Sequence, residues 1–237
     1  MELSTINIGE IVAQDFRAAA IFKKYGIDFC CKGNRTVEDA CAPKGVDPNT
    51  IYREIDRLPG KSEEIDFTSW PLDLLADYVE KKHHRYVEEK IPYLLGFLDK
   101  LRKVHGPQHP ELLEINDLFN QTAVNLMEHM QKEENILFPF IRQMVKSKSR
   151  GEAFNPPAFG TVENPVSMMK HEHEEEGDRF RKIAELSDNY TPPADACNTY
   201  KVTYAMLEEF ENDLHLHIHL ENNILFPGAI NMESELK

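Results

Sequence analysis

The chain has 237 residues, of which 41% are hydrophobic and 29% charged, and its formal net charge is −14 at pH 7. So acidic a chain lacks the basic surface that nucleic acids and anionic membranes bind, and neither is expected as a partner. No apolar run approaches the roughly 20 residues that span a bilayer, and no signal peptide is visible. The four cysteines are too few for a disulfide framework, which predicts a cytoplasmic protein.

The first 58 residues are predicted to form a small helical domain that contains cysteine. Apolar residues recur at helical spacing over 8–25, and Gly26 is expected to end that helix. Thr36 has the features of an N-cap for a second helix, and Pro48 those of the first turn of a third. Residues 59–70 combine Pro, Gly, Ser and charge without periodicity, so we expect a linker there.

Residues 71–237 are predicted to form a helical bundle. Strand-like alternation is absent, and stretches rich in Pro and Gly separate four long helical segments, at 71–104, 110–146, 165–187 and 195–226. Four helices with such connections favour a four-helix bundle. The predicted fold class is therefore all-α, a four-helix bundle preceded by a small helical domain.

An internal repeat relates the second and fourth of these helices. The eleven residues that begin at His129 match the eleven that begin at His217, 88 residues later, and each copy contains His-x-x-x-Glu and ends in Ile-Leu-Phe-Pro. His84 precedes the first copy by 45 residues, and His173 precedes the second by 44. The pattern indicates a duplicated helix pair, in which each half contributes one His and then one His-x-x-x-Glu.

The repeat predicts a metal centre inside the bundle. The His and Glu of each copy project from one helix face because they lie four residues apart. Six donors are expected to converge: His84, His129, Glu133, His173, His217 and Glu221. Such a set does not resemble a closed, thiolate-rich zinc site. It suits two non-haem iron ions per chain, each with two histidines, sharing two bridging glutamates and an oxo or hydroxo bridge.

Neighbouring histidines compete for two of the six positions. His83 lies beside His84, and His171 lies two residues before His173. The 88-residue offset of the repeat pairs His83 with His171, whereas it pairs His84 with a glutamate. Spacing alone leaves both alternatives open.

At this point the residues carry a family resemblance. The cysteine-bearing segment 25–41, together with the two repeat copies, resembles the repair-of-iron-centres di-iron proteins of the YtfE/ScdA type over essentially the whole chain. The resemblance implies a haemerythrin-like bundle whose iron ligands are the same six donors. The ligand from the family's third helix is a His that follows an acidic residue, which favours His173 over His171. Oxygen-carrying haemerythrin resembles the bundle but uses five histidines.

The resemblance also implies a role in stress response. Members restore iron–sulfur clusters damaged by nitric oxide or peroxide, so the implied partners are proteins with damaged clusters, with nitric oxide as a ligand or substrate. Nitric-oxide binding or reduction and iron donation are both compatible with an open di-ferrous site. The alternative is a haemerythrin-like oxygen or iron carrier or sensor without turnover. The sequence does not decide between these, nor whether the chain forms a homodimer.

Cys30 and Cys31 are predicted to assist this chemistry. Adjacent cysteines pair with each other only with strain, so free thiols or other partners are expected. The nearby cations of Lys32 and Arg35 and a helix N-terminus would lower the thiol pKa and favour thiolate. The functional interpretation is electron delivery, nitrosyl transfer or iron transfer to the bundle, and the structural one is two buried small hydrophobic side chains.

Four further residues are expected to carry no chemistry. Cys41 and Cys197 are interpreted as core or incidental. His215 and His219 lie well around the helix from His217, so we expect them to face solvent or the rim of the bundle.

Overall fold

A computed structural model describes residues 6–58, 65–152, 154, 157 and 159–237. Within those residues the regular secondary structure is helical and contains no strand, which confirms the all-α fold class. No helix there is long and apolar enough to cross a membrane. Residues 59–64 of the predicted linker lie outside the described residues, and the predicted domain boundaries stay predictions.

The N-terminal region contains four short helices: α1 Ile8–Gln14, α2 Ala18–Lys24, α3 Val37–Cys41 and α4 Pro48–Asp56. The single helix predicted over 8–25 is thus two helices, because the backbone leaves helical geometry at Asp15, whose carboxylate accepts the N–H of Arg17. Gly26 adopts φ 63° just after α2, as expected of a C-terminal stop. Thr36 caps α3 as predicted, accepting the N–H of Asp39 at 3.1 Å.

Four long helices make up the bundle. The first consists of α5 Leu72–Tyr78, a π-helical turn Val79–His84 and α6 Arg85–Val104. The second consists of α7 Glu111–Lys132, a π-turn Glu133–Leu137 and α8 Phe138–Arg150. The third is α9 Glu163–Leu186. The fourth consists of α10 Asn198–Leu220, a π-turn Glu221–Leu225 and α11 Phe226–Leu236.

The fourth helix continues past its predicted end at residue 226, through Pro227. A proline has no N–H to donate, and its ring clashes with the carbonyl four residues earlier in a regular helix. Just before Pro227 the N–H of Phe226 reaches back five residues, to the carbonyl of Glu221. The backbone has therefore already left α geometry where the proline ring needs room, so the helix continues.

The core consists of two apolar clusters. One cluster joins the N-terminal helices to the bundle and includes Phe22, Phe119 and Phe210. The other lies towards the ends of the second and fourth helices and includes Phe138 and Phe226. In each long helix the predicted metal donors fall, along the chain, between residues of one cluster and residues of the other. The donors therefore form a polar layer flanked on both sides by side chains that exclude water.

Candidate metal centre

Three of the predicted donors lie at the boundaries of the π-turns. His84 is the last residue of the first π-turn, while Glu133 and Glu221 are the first residues of the other two. π-turns inside α-helices occur frequently at functional sites because the extra residue re-aims the side chains around it. These turns were not predicted from the sequence, although the proline at the end of each repeat copy was a usable signal for two of them.

The six predicted donors come together in the bundle, and each is at most 2% exposed. They form two overlapping groups in which every ligand atom lies within 4.8 Å of the others. The first group is His84, Glu133, His217 and Glu221, and the second is His129, Glu133, His173 and Glu221. Each group thus has its own two imidazoles, and both share the two carboxylates.

The distances show how the carboxylates lie between the two groups. Oε2 of Glu133 is 3.4 Å from Nε2 of His84 and 3.3 Å from Nε2 of His129. Oε2 of Glu221 is 3.2 Å from Nε2 of His173 and 3.2 Å from Nε2 of His217. Each carboxylate therefore contacts one imidazole of each group, which is the arrangement expected of a bridging ligand.

Several of these buried atoms have no hydrogen-bond partner among the described residues. They are Nε2 of His84, both ring nitrogens of His217, and all four carboxylate oxygens of Glu133 and Glu221. A buried polar atom without a partner costs about 1–3 kcal/mol, so native proteins rarely leave one unexplained. A pair of cations bound among these atoms would satisfy them, so the donor set fits a two-metal centre.

Side chains outside the centre orient three of the four imidazoles. Each of the three has its Nδ1 hydrogen-bonded to an acceptor: His84 to Glu134 at 2.9 Å, His129 to Glu172 at 2.8 Å, and His173 to Asn222 at 3.0 Å. An acceptor on Nδ1 fixes the tautomer in which Nε2 is free to bind metal. Metal sites in proteins commonly carry such outer partners, and the sequence analysis identified none of these three.

The electrostatics of the centre favour bound positive charge. Burial alone would lower the pKa of His129, but the carboxylates of Glu133, Glu172 and Glu221 together outweigh burial, so this pKa rises to about 10. Burial alone would raise the pKa of Glu221, but His217 and His173 hold it well below its usual range. The carboxylates are therefore ionised, and in the absence of metal they retain a proton on His129.

The structure also separates the competing histidines. His83 is buried, but its Nδ1 lies 3.1 Å from both carboxylate oxygens of Asp213, and it belongs to neither group of donors. The side chain of His171 is 73% exposed. His84 and His173, rather than these neighbours, are the residues that converge with the other donors.

The expectation that His219 faces solvent or the rim is wrong. His219 is 1% exposed, and its ring lies 5.8 Å from that of Phe16 and 6.1 Å from that of Phe29. His215 is half-buried and also contacts Phe29. The N-terminal domain covers this face of the fourth helix, and burial lowers the pKa of His219 to about 4. No local pattern in the sequence indicates that the N-terminal domain packs against this face of the fourth helix.

The two adjacent cysteines contact the third and fourth helices beside residues of the centre. Sγ of Cys31 is 3.2 Å from the carbonyl oxygen of His173, and the amide of Asn222 donates to the carbonyl of Cys30 at 3.2 Å. Both thiols are free, with their sulfur atoms 3.7 Å apart. Cys41 is buried and Cys197 is exposed.

The expected lowering of the thiol pKa is wrong for Cys30. The neighbouring thiol of Cys31, burial, and the carboxylate of Asp28 raise the pKa of Cys30 well above its ordinary value. The guanidinium of Arg35 donates to the backbone carbonyl of Lys32 rather than to either thiol. Cys30 is therefore a protonated thiol in the metal-free protein.

Comparison with known proteins places both parts of the chain. Residues 76–229 match a family described as the hemerythrin HHE cation binding domain, and residues 5–59 match the ScdA_N family, described as a domain of unknown function. The iron-sulfur cluster repair protein ScdA of Staphylococcus haemolyticus is 34% identical over 220 residues, or 92% of this chain and 95% of the relative. The iron-sulfur cluster repair protein YtfE of Escherichia coli O81 is 35% identical over 223 residues, or 94% of this chain and 96% of the relative. YtfE of Enterobacter sp. is 34% identical with the same coverage.

Proposed function

The chain belongs to the ScdA/YtfE family of iron–sulfur cluster repair proteins, and we propose that it repairs clusters damaged by nitrosative or oxidative stress through a di-iron centre in its bundle. The observation that carries the proposal is the pair of overlapping donor groups that share two buried carboxylates. Imidazole and carboxylate without thiolate is a donor set that suits non-haem iron, and a solvent-derived oxo or hydroxo bridge would complete it.

The residues of the chain have distinct parts in this proposal. Glu133 and Glu221 would be shared by the two irons, and their two negative charges would offset part of the +4 of two ferrous ions. The four imidazoles would bind iron through nitrogen, while the flanking apolar clusters exclude water. Two irons bound there would supply a redox-active pair able to bind and reduce nitric oxide, or iron for rebuilding a cluster.

An acidic cavity beside His129 supports iron donation. It has a volume of about 160 Å³ and is lined by His129, Lys132 and the carboxylates of Glu128, Glu172 and Glu175, among others. Carboxylates lining a narrow opening raise the local concentration of cations. The cavity would therefore give iron a route between the centre and solvent on the side of the second and third helices.

In this proposal Cys30 and Cys31 assist the centre by delivering electrons or transferring iron. The contact of Cys31 with the backbone carbonyl of His173 supports that role, since no long movement would be needed. Partners would be proteins with damaged clusters, with nitric oxide as a ligand. The cytoplasm is the proposed compartment, because free cysteines persist where the surroundings are reducing.

The first test is the metal content of protein purified without oxygen. We expect two irons per chain in the wild type, and a sharp fall in Glu133→Ala and Glu221→Ala. Glu114→Ala is the matched control, because Glu114 is an exposed glutamate of the second helix outside the centre. One zinc per chain, or no metal in the purified wild type, would contradict the di-iron proposal.

The second test is repair itself. An enzyme whose [4Fe–4S] cluster has been damaged by nitric oxide should regain activity when it is incubated with the two-iron protein, and not with Glu133→Ala. Reversible oxygen binding without any such repair would favour the haemerythrin-like carrier or sensor instead.

A further inference from the structure

We propose that Cys30, Cys31 and Asp28 form a second metal site, for a thiophilic divalent cation with Fe²⁺ as its cargo, separate from the six-donor centre. The inference rests on the proposed function, in which iron enters or leaves the protein. It goes further in assigning a site on the N-terminal domain at which thiolates bind the iron transiently.

The ligand atoms of the three side chains lie within 4.8 Å of one another, and two of their separations match those of ligands on one tetrahedral ion. The two sulfur atoms are 3.7 Å apart, and Sγ of Cys30 is 3.5 Å from Oδ1 of Asp28. Metal–sulfur bonds of about 2.3 Å and a metal–oxygen bond of about 2.1 Å at tetrahedral angles place two sulfurs about 3.8 Å apart, and sulfur and oxygen about 3.6 Å apart. The site would therefore need little rearrangement to hold a cation, and its fourth position would be open.

Backbone contacts hold the thiols in this arrangement. Oδ1 of Asp28 accepts the N–H groups of Cys30 at 3.1 Å, Cys31 at 2.9 Å and Lys32 at 3.3 Å. These hydrogen bonds curl the chain around the carboxylate of Asp28, so both thiols lie close to that carboxylate. Oδ2 of Asp28 accepts a hydrogen bond from Arg181 of the third helix at 2.9 Å. Two thiolates and a carboxylate around a divalent cation carry one net negative charge, which the guanidinium offsets.

The site lies between a solvent-accessible cavity and the six-donor centre. On one side, Cys30 and Asp28 line a cavity of about 450 Å³ together with Lys23 and Arg181. On the other side, Cys31 contacts the carbonyl of His173. A cation held here is thus adjacent both to the exterior and to a residue of the centre, as a transit position requires.

Binding at this site needs no redox partner. Two S–H bonds break, two metal–sulfur bonds form, and two protons leave to solvent, while the oxidation states of metal and sulfur stay unchanged. Release is the reverse reaction. The competing interpretation, a purely redox pair that cycles through a disulfide, requires the two sulfurs to bond to each other and predicts no metal.

Cobalt(II) is a suitable probe, because tetrahedral thiolate binding gives a sulfur-to-cobalt charge-transfer absorption that imidazole and carboxylate ligands do not give. We expect the full-length, anaerobic, reduced protein with its iron bound to take up one further equivalent with this absorption. The Cys30→Ala/Cys31→Ala variant should lose it, whereas Cys41→Ala and Cys197→Ala should keep it. Absence of the absorption in the wild type, or its survival in the double variant, would overturn the proposal.

Three further variants keep the test decisive. If circular dichroism shows that the double variant does not fold, Cys31→Ser and Asp28→Asn take its place. Asp28→Asn should weaken cobalt binding about tenfold or more, and an unchanged affinity in both would overturn the proposal. The Glu133→Gln/Glu221→Gln variant should lose iron from the centre yet keep the thiolate absorption. That result separates a failure of the di-iron proposal from a failure of the thiolate site.

Discussion

The side chain of Asn222 connects His173 to the backbone of the N-terminal domain. Its Oδ1 lies 3.0 Å from Nδ1 of His173, and its Nδ2 donates to the carbonyl of Cys30 at 3.2 Å. Asn222 directly follows Glu221, so one turn of the fourth helix supplies both a donor of the centre and a contact to the small domain. The orientation of one imidazole is thereby tied to the position of the cysteine pair.

Asn222→Ala is expected to weaken metal binding by about 10–100-fold, because His173 would lose the acceptor that orients its ring. Competition with a chromophoric chelator under anaerobic conditions measures that affinity. Asn223→Ala is the matched control, since Asn223 also contacts the N-terminal domain, through the carbonyl of Phe29, but touches no donor of the centre. Equal affinities for the two variants would show that the Asn222 contact does not orient the ring.

Removal of metal is expected to destabilise the bundle. A ligand present at 100 times its Kd stabilises the folded state by about 2.7 kcal/mol per site, and for a chain of this size each kcal/mol shifts Tm by about 2–4 °C. Chelation should therefore lower the Tm by several degrees, as measured by calorimetry. The Glu133→Gln/Glu221→Gln variant should show a much smaller change of Tm on chelation, because it lacks the metal of the six-donor centre. A chelator effect of equal size in that variant would mean that the stabilising metal binds elsewhere.

The positions of the donors could be predicted from their spacing in the sequence wherever those positions depend only on the geometry of a single helix. Residues four apart share a helix face in any bundle, so the pairing of His129 with Glu133 needed no tertiary information. The choice between His83 and His84 did need it. Adjacent helical residues project about 100° apart, and only the rotation of the first helix in the bundle decides which one faces the axis. The identification of the six as metal ligands stays a prediction.

The contacts between the small N-terminal domain and the bundle could not be predicted from the sequence, for a different reason. Cys31 and His173 touch across a separation of 142 residues, and such a contact depends on how two domains pack rather than on any local pattern. The same packing explains why His219 is buried, and it adds burial to the causes that raise the pKa of Cys30. Sequence proximity to Lys32 and Arg35 was a poor guide, because the hydrogen bond with the Cys31 thiol and burial of the side chain are the largest effects on this pKa.

Gly177 is expected to be essential for the approach of the small domain to the third helix. A Cβ at this position would lie 3.0 Å from Sγ of Cys31 and 3.3 Å from Arg181. Overpacking of this kind costs about 1–3 kcal/mol and exceeds the gain of up to about 1 kcal/mol that alanine brings to a helix. Gly177→Ala should therefore lower the free energy of unfolding and make Cys31 react faster with a thiol reagent.

Gly96→Ala is the matched control for this prediction. Gly96 also lies inside a long helix, but a Cβ there would meet nothing within 4 Å. The substitution should raise the free energy of unfolding by about 0.5–1 kcal/mol and leave the rate of thiol modification unchanged. Urea unfolding of both variants measures whether each substitution raises or lowers the free energy of unfolding. Stabilisation by Gly177→Ala would contradict the close contact with Cys31.

The stability contributed by Asp28 is expected to depend on pH. Burial acts to raise the pKa of this carboxyl, but Arg181 and the backbone N–H groups of Cys31 and Lys32 outweigh it and hold the pKa below its ordinary value. As the pH falls, the unfolded chain therefore takes up a proton at this position before the folded chain does. The contribution of the carboxylate is complete above the unfolded pKa of about 3.9 and is lost as the pH falls through the folded pKa.

Asp28→Asn should accordingly cost about 1–2 kcal/mol at pH 7, because it removes the charge that Arg181 and the backbone N–H groups contact. The difference in unfolding free energy between wild type and variant should stay constant from pH 7 to about pH 5 and shrink below pH 4. Urea titrations at several pH values measure it, with Asp39→Asn, an exposed carboxylate of α3, as the control. A difference that grows as the pH falls would require a folded pKa above the unfolded one, and would mean that burial of Asp28 outweighs its contacts with Arg181 and the backbone.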